Sequence, residues 1–552
     1  MFLYKALKYN DMNRIANILI CLVVSSLFLV GCNDMLGVDS KRLATEDQYG
    51  HSANDSLFAE IGVLSQVQKL ADAYVLLGEL RGDLMDISAS SDLDLREINN
   101  FDISATNIYV NQKDYYSVIN NCNYILQNLD TSKVDKGLKL NLREYAGIKS
   151  IRAWTYIQIA LNFKTAKYYE NPILTVEDSK KTYPEYDITQ LADVLIADLL
   201  PLKAVDLPML SYYCFPVRVL LGDLYLWKGD YENAANSYRD FMYASKSIIN
   251  GERDKTTGIP TSNSTISYWI PVNKTISSTA TLNWIKSFTS SEVISVIACP
   301  TQYGQNYYLD SLNNQHKIVP SSIAIQNWDN QTYYLNEASN TQGDLRKYGS
   351  ISYSAATNSK ATTDYSFSGV TADTYLIYKY KLYNQSVEIY RSSLIYLRYA
   401  EAVNRLNKPN LAFAVLKYGL NSTNLFNTKI IPMKERGVTL PNYMSLTDSR
   451  FNNNVGIRMH GLGNMDMDTT FYRMPKRDSM KDSVLCVEDL IQQELALETA
   501  FEGNRFQDLM RISLRRIKSG EGTAAYLADK VGAKNPAIKA KLMSTDNWYI
   551  KK

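Results

Sequence analysis

Residues 217–243 constrain the fold more than any other part of the sequence. They carry the offsets of the tetratricopeptide pattern, in which small and aromatic residues recur across two short helices, at Leu221, Gly222, Tyr225, Gly229, Tyr231, Ala234 and Tyr238. Gly222 and Ala234 allow the two helices to approach closely. Because one hairpin cannot bury its apolar stripe alone, neighbouring helices must stack on it. The pattern predicts a mainly α-helical scaffold of tetratricopeptide-like hairpins; an ordinary hairpin in an unrelated all-α domain is the alternative.

Helical periodicity recurs on both sides of this hairpin. Further helices are predicted at residues 54–80, 115–129, 139–163, 191–200, 393–406, 411–420 and 483–501. Residues 86–111 read as a loop. Residues 250–392 are rich in Ser, Thr, Asn, Gly and Tyr and lack long helical stripes, apart from a strand-like run at Val293–Ala298. Long loops on a rigid scaffold usually carry function, so this stretch is the predicted irregular, ligand-facing subdomain.

The N-terminal residues have the pattern of an export signal. Three basic side chains precede an apolar run over residues 15–30 that is too short for a confident membrane span. The run ends in Gly31-Cys32, which resembles the bacterial lipobox, where cleavage before the cysteine leaves it lipid-modified. We therefore expect a signal peptide over residues 1–31 and lipidation at Cys32. A plain secretory signal that contains a cysteine is the alternative.

These signals divide the chain into five parts. After the signal peptide, residues 32–53 are polar and aperiodic and read as a tether. A helical scaffold over 54–249 and the irregular region over 250–392 follow. Residues 393–552 then hold a second helical hairpin and the terminal segment.

Charge and residue spacing exclude several functional classes. The whole chain has a formal net charge of +2, and residues 1–31 carry this excess, so the remainder is neutral and lacks the basic surplus of a nucleic-acid binder. Neither the cysteines nor the three histidines show the spacing of metal ligands, and no glycine-rich phosphate loop follows a predicted strand. We expect no metal, no cofactor and no enzymatic activity. A glycosidase needs only two well-placed carboxylates, so a glycoside-active enzyme stays an alternative.

Three motifs carry a resemblance to a known family. They are ELRGDLM at 79–85, YLRYAEA at 396–402 and a segment over 494–511 that includes FEGNRF at 501–506. Together with the lipobox, in order and approximate spacing, they resemble the SusD/RagB family of outer-membrane nutrient-binding lipoproteins. The resemblance implies tetratricopeptide-like helix pairs as scaffold and an irregular half that contacts ligand. It also implies a lid-like role over a SusC-like, TonB-dependent β-barrel transporter.

The motif residues are interpreted as structural. The set comprises Arg398, Glu401, Glu494, Glu498, Phe501, Gly503, Arg505 and Arg511. Glu494 and Glu498 lie on one predicted helix at the spacing of a paired acid and base. Ion pairs between these two glutamates and Arg505, Arg511 or Arg398 are the favoured interpretation. Phe501 is a predicted core residue and Gly503 a turn between helices. The remaining charged residues are predicted to form a buried ion network, in which loss of one partner costs roughly 3–5 kcal/mol.

Ligand contacts are predicted from the chemistry of sugars. Sugar rings present apolar C–H faces and rims of hydroxyls, so a glycan site needs flat aromatic side chains and polar ones. The candidates are Trp269, Trp284, Trp328, Tyr333 and Tyr334 for the aromatic part, and Arg81, Asp83 and Asn107 for the polar part. The alternative is structural: each Trp is a local core residue, and Arg81 and Asp83 pair with each other or anchor their loop.

The residue chemistry together with the resemblance to the SusD/RagB family therefore implies a cell-surface lipoprotein of the outer membrane that captures an oligo- or polysaccharide and delivers it to a SusC-like transporter. Oligopeptide capture of the RagB type is the main alternative, because a Tyr-rich and Asn-rich irregular half suits either ligand. A purely structural surface protein is the third possibility. The 41 tyrosines are consistent with a polar ligand surface, although helix packing also uses tyrosine.

Overall fold

The computed structural model describes residues 53–551 with several gaps. The described ranges are 53–135, 137–139, 141–207, 211–249, 292–299, 308–336, 339–344, 346–353, 375–377, 379, 386–462 and 472–551. The predicted signal peptide, Cys32, Trp269 and Trp284 lie outside them. Ala59–Lys552 forms one compact unit, and Met1–Phe58 is assigned to another. Within the described ranges, no helix combines the length and apolar character that a membrane crossing requires.

Helices dominate the described chain. The helices α1 to α9 are Ala53–Val67, Ala71–Glu79, Leu93–Asn100, Gln112–Asn128, Leu142–Phe163, Val176–Lys180, Ile188–Leu199, Val217–Lys228 and Tyr231–Ser245. The helices α10 to α21 are Tyr308–Asn314, Ser322–Asp329, Arg346–Ser350, Ser392–Arg405, Pro409–Lys417, Ser422–Phe426, Met433–Arg436, Met459–Leu462, Met480–Glu498, Arg505–Lys518, Ala525–Lys534 and Pro536–Leu542. This confirms the predicted mainly α fold.

The tetratricopeptide-like hairpin forms as predicted. Gly229 ends α8 in the left-handed conformation, with φ of 85°, and the Asp230 side chain caps α9 by accepting from the amide of Asn233 at 3.3 Å. A side chain at Gly222 would lie only 2.5 Å from the Tyr238 ring, so glycine is what permits the close crossing. Helix α7 packs on α8 and α13 packs on α9, which continues the stack on both sides.

Several predicted boundaries shift for local reasons. The helix predicted at 54–80 is two helices, because a 3-10 turn at Gln68–Leu70 separates α1 from α2. The helix predicted at 191–200 begins earlier, at Ile188, where Asp187 and Gln190 form a capping box. The predicted loop at 86–111 contains α3, whose first turn is capped by Asp92 through the amide of Leu95 at 3.1 Å.

Strands pair only two by two among the described residues. The strands β1 to β12 are Met85–Ile87, Val134–Asp135, Leu138–Lys139, Ala166–Lys167, Glu185–Tyr186, Val293–Ala298, Ile318–Pro320, Thr332–Asn336, Ser339–Gln342, Ile351–Tyr353, Tyr375–Ile377 and Ser386–Arg391. All pairs are antiparallel: β1 with β7, β2 with β3, β4 with β5, β6 with β12, β8 with β9 and β10 with β11. The strand predicted at Val293–Ala298 is confirmed. Its pairing with β12 joins an interior segment of the irregular region to the C-terminal end of that region.

Candidate ligand-binding cleft

Glu494 and Glu498 lie in a buried ionic cluster with partners other than those predicted. Arg346 donates to Glu494 at 2.6 Å and to Glu498 at 2.7 Å, and Arg391 donates to Glu498 at 2.8 Å. The expected pairing with Arg505, Arg511 or Arg398 is wrong. Arg346 and Arg391 come from the irregular region, where no periodicity indicates which side chains turn inward. Both glutamates are buried and ion-paired, so neither is placed to act on a substrate.

The predicted arginines bind carboxylates on other elements. Arg398 donates to Asp223 at 2.6 Å, and Arg511 donates to Glu401 at 2.7 and 2.9 Å. Burial alone would raise the pKa of Glu401, but Arg511 and Arg515 lower it to about 2. These contacts form the buried ion network that the motif residues predict.

The motif at 79–85 packs directly against the one at 501–506. Glu79 accepts hydrogen bonds from the backbone amides of Phe501 at 3.1 Å and Gly503 at 2.8 Å. Asp83 and Arg505 form a bidentate pair at 2.6 and 2.8 Å. Gly503 makes the turn between α18 and α19 with φ of 84°, as predicted. The motifs therefore define a structural junction.

The polar side chains that were predicted to contact a ligand make contacts within the protein instead. Arg81 is 1% exposed and donates to the carbonyls of Leu77 at 2.7 Å and Trp548 at 3.2 Å, and to Asn162. It does not pair with Asp83, whose partner is Arg505. Asn107 holds its loop by donating to the carbonyl of Asp94 at 2.9 Å and to Glu97 at 3.0 Å. The prediction that Arg81, Asp83 and Asn107 contact ligand is therefore corrected to a structural role.

Two aromatic candidates are also buried. Trp328 is fully buried, packs against Phe501 at a ring separation of 6.0 Å and donates from Nε1 to the carbonyl of Leu497 at 3.1 Å. Tyr333 is 2% exposed and donates to Asp344 at 2.6 Å. Neither ring presents a face to a ligand, so the local-core alternative holds for both. The side chain of Tyr334, like Trp269 and Trp284, lies outside the described residues.

A cleft that the sequence analysis did not identify lies between α2, the loop before α4 and the start of α10. It has a volume of ≈ 490 Å³, within the range of roughly 300–1,000 Å³ that is common for small-ligand sites. Its lining residues are Lys69, Leu70, Asp72, Ala73, Ile108, Tyr109, Asn111, Asp114, Tyr115 and Tyr308. Tyr308 is 42% exposed and Ile108 is 66% exposed, which gives the cleft an accessible aromatic and aliphatic surface.

The cleft is built by side chains that fix its walls. Asp72 accepts hydrogen bonds from the backbone amides of Tyr308 at 3.0 Å and Leu309 at 3.2 Å, and so positions the start of α10. Burial raises the pKa of Asp72 to about 6, although these two hydrogen bonds oppose the shift. On the opposite wall, Asn111 caps α4 by accepting from the amide of Lys113 at 3.1 Å and donates to Asp114 at 2.9 Å. Contacts within the protein therefore fix both walls.

The arrangement suits a polyhydroxylated ligand. The Tyr308 ring offers an apolar face, while Lys69, Asn111 and Asp114 supply donors and acceptors around it. Tyr109 is 7% exposed, and its hydroxyl stays protonated because burial and neighbouring carboxylates raise its pKa. Among the described residues, no group of three His, Cys, Asp or Glu side chains is placed to hold a metal ion.

Another cavity, of ≈ 380 Å³, lies between the segment before α8, the end of α9 and β6. Its lining includes Lys203, Asp206, Tyr212, Arg218 and Phe241. It borders residues 208–210, which lie outside the described ranges, so its wall is incomplete there. The cleft at Tyr308 also borders residues outside the described ranges, at 300–307. It is preferred because the Tyr308 ring is 42% exposed, whereas Phe241 in the other cavity is buried.

Comparison with solved structures supports the fold. A SusD superfamily protein from Bacteroides vulgatus matches with a TM-score of 0.56 at 15% identity, over 91% of this chain and 96% of its own. A SusD homolog from Bacteroides thetaiotaomicron matches with a TM-score of 0.54 at 15% identity, over 92% and 91% of the two chains. A SusD-like carbohydrate-binding protein from Bacteroides fragilis matches with a TM-score of 0.54 at 14% identity, over 84% and 87%.

The chain therefore has the fold of the SusD superfamily, as the resemblance of its motifs implied. No family model matches the sequence, and a search of curated proteins finds no relative. At this level of identity the likeness concerns the fold.

Proposed function

We propose that the chain is a SusD-like binding protein that holds an oligo- or polysaccharide in the cleft at Tyr308. The observation that carries the proposal is the accessible Tyr308 ring with Lys69, Asn111 and Asp114 around it. An aromatic face with adjacent hydrogen-bonding groups is complementary to a sugar ring. The solved structure from Bacteroides fragilis that shares the fold is described as carbohydrate-binding, which supports the same ligand class.

The cleft is open and partly polar, so binding is expected to be weak. Ordering exposed side chains such as Lys69 and displacing bound water offset much of the gain from contact. We expect dissociation constants on the order of micromolar to millimolar. A neighbouring transporter would raise the effective ligand concentration, so weak capture still serves uptake.

The proposal extends to location and partner. The lipobox-like ending at Cys32 supports a lipid anchor in the outer membrane, exposed at the cell surface. The motif resemblance supports delivery to a SusC-like, TonB-dependent transporter. The proposed role is capture and transfer without cleavage, since Glu494 and Glu498, the helical carboxylates with acid–base spacing, are buried in ion pairs.

The test is calorimetric titration of the detergent-solubilised full-length chain with a panel of oligo- and polysaccharides. We expect Tyr308→Ala to weaken binding of any recognised glycan at least about tenfold, because stacking on an aromatic ring contributes on the order of 1 kcal/mol and the ring also shapes the cleft. Tyr243→Ala is the matched control. Tyr243 is 37% exposed on α9 and does not line the cleft, so its loss should leave the affinity unchanged.

Three outcomes would contradict the proposal. Binding of oligopeptides but of no glycan would favour the peptide-capture alternative. Release of shortened sugars during prolonged incubation, detected by chromatography, would show an enzyme. Equal affinity of Tyr308→Ala and the unchanged chain would place the site elsewhere.

A further inference from the structure

Carboxylates outnumber cations around the cleft. Asp72 and Asp114 line it, and Asp92 and Asp94 lie at the start of α3 near Tyr109. Lys69 is the only cation among the described lining residues. Lys317 lies nearby, but it forms an ion pair with Asp92 at 3.3 Å. The surroundings therefore retain a negative balance.

Hydrogen bonds hold three of these carboxylates in place. Asp94 accepts from the amide of Ile108 at 3.2 Å, and Asp114 accepts from Asn111 at 2.9 Å. Asp72 is fixed by the two amides of α10. These hydrogen bonds restrain the carboxylates at the walls of the cleft. The field in the cleft is thus a property of the fold.

Tyr109, which lines the cleft, lies close enough to these aspartates for their charges to act on its hydroxyl. Burial raises the pKa of its hydroxyl, and the charges of Asp92, Asp72 and Asp94 raise it further. A field that disfavours a phenolate also disfavours a carboxylate or sulfate on a ligand placed beside it.

No arginine lines the described part of the cleft. The guanidinium group is the side chain best suited to anionic oxygens, because it donates two parallel hydrogen bonds. Arg96, the arginine of α3, instead donates to the carbonyls of Ser91 at 3.0 Å and Ala89 at 2.8 Å. A uronate or sulfate group would therefore enter without its usual partner.

Building on the proposed function, we propose that the cleft selects glycans that carry no anionic groups. Uncharged sugars and amino sugars contact an aromatic ring, amide groups and carboxylates. The carboxylates accept hydrogen bonds from sugar hydroxyls, and the amide N–H groups donate hydrogen bonds to them. Uronate-bearing or sulfated glycans meet repulsion from the aspartates.

The test uses glycan pairs that share a backbone and differ in charge. Polygalacturonate is compared with its methyl ester, and carboxymethyl cellulose with hydroxyethyl cellulose, by affinity electrophoresis and calorimetry with the full-length chain at pH 7.5. At low salt, the uncharged member of a recognised pair should bind at least about tenfold more tightly. Raising the salt to about 0.5 M should narrow this ratio through screening.

Variants of opposite sign sharpen the test. Asp114→Asn should reduce about threefold the ratio of affinities between the uncharged and the anionic member of a pair. Lys69→Gln should increase this affinity ratio by a similar factor. Asp193→Asn makes the same charge change in an exposed ion pair with Lys228, outside the cleft, and should leave the ratio unchanged.

Each outcome has a distinct meaning. Equal or tighter binding of the anionic members overturns the selectivity proposal while glycan binding stands. Ratios that do not respond to Asp114→Asn or Lys69→Gln also overturn it. If no glycan of the panel binds, the proposed function fails, and the selectivity proposal fails with it.

Discussion

At the residue scale, conformation and contact explain why particular motif positions hold glycine. Gly503 has φ of 84°, a region that side chains other than glycine enter at a cost. A Cβ at this position would also lie 2.6 Å from the Tyr74 ring. Gly520 shares the positive φ, at 67°, but has open space around it. Comparing substitutions at Gly503 and Gly520 therefore distinguishes the cost of backbone strain from the cost of a steric clash.

We therefore expect Gly503→Ala to lower the free energy of unfolding by about 2–4 kcal/mol, because left-handed strain and overpacking add. Gly520→Ala should cost only about 1 kcal/mol, from strain alone. Denaturant titration followed by circular dichroism measures both. Equal losses in the two variants would show that the contact with Tyr74 relaxes freely and would refute the packing argument.

At the element scale, periodic segments were predictable and irregular ones were not. The offsets of residues 217–243 predict α8 and α9, because small and aromatic residues there have one packing solution. The cleft has no such signal, since the amide of Tyr308 meets Asp72 across 236 positions in the sequence. The tryptophan content of the irregular region predicted a ligand contact at Trp328, but this side chain is buried in the core. Chemistry alone does not tell a buried aromatic side chain from an accessible one.

The ionic cluster around Arg346 fastens the irregular region to α18. Arg346 is fully buried and binds Asp344, Glu494 and Glu498 at 2.6 to 2.7 Å. We expect Arg346→Met to lower the free energy of unfolding by about 3–5 kcal/mol, because it removes the Arg346 ion pair from buried Asp344 and one of the cations around Glu494 and Glu498.

The matched control is Lys539→Met, which removes a surface pair with Asp529 in which both side chains are 55% exposed. Its cost should stay below about 1 kcal/mol. Thermal and denaturant unfolding of both variants provide the measurement. A loss for Arg346→Met no larger than that of the control would mean that the cluster does not hold the two elements together.

At the scale of the whole molecule, the family motifs mark the junction of the first and last parts of the compact unit. Glu79 reaches the amide of Gly503 across 424 positions, and Asp83 reaches Arg505 across 422. This explains how motif resemblance leads to the fold but does not locate the proposed binding cleft. The cleft residues Asp72, Asn111 and Tyr308 lie outside all three motifs. Ligand preference can therefore vary on a constant scaffold.

The lipid anchor is the remaining whole-molecule prediction, and it depends on Cys32. A chain with acyl groups at this residue partitions into membrane, since each buried methylene contributes about 0.8 kcal/mol. In a bacterial host that processes lipoproteins, we expect Cys32→Ala to abolish incorporation of labelled fatty acid and to move the chain from the detergent phase to the aqueous phase of Triton X-114. Cys486→Ala changes a partly exposed cysteine in α18 and should behave like the unchanged chain. If Cys32→Ala still takes up the label and stays in the detergent phase, another residue anchors the chain. If the unchanged chain takes up no label, residues 1–31 act as a plain secretory signal, and the surface-capture model loses its attachment to the membrane.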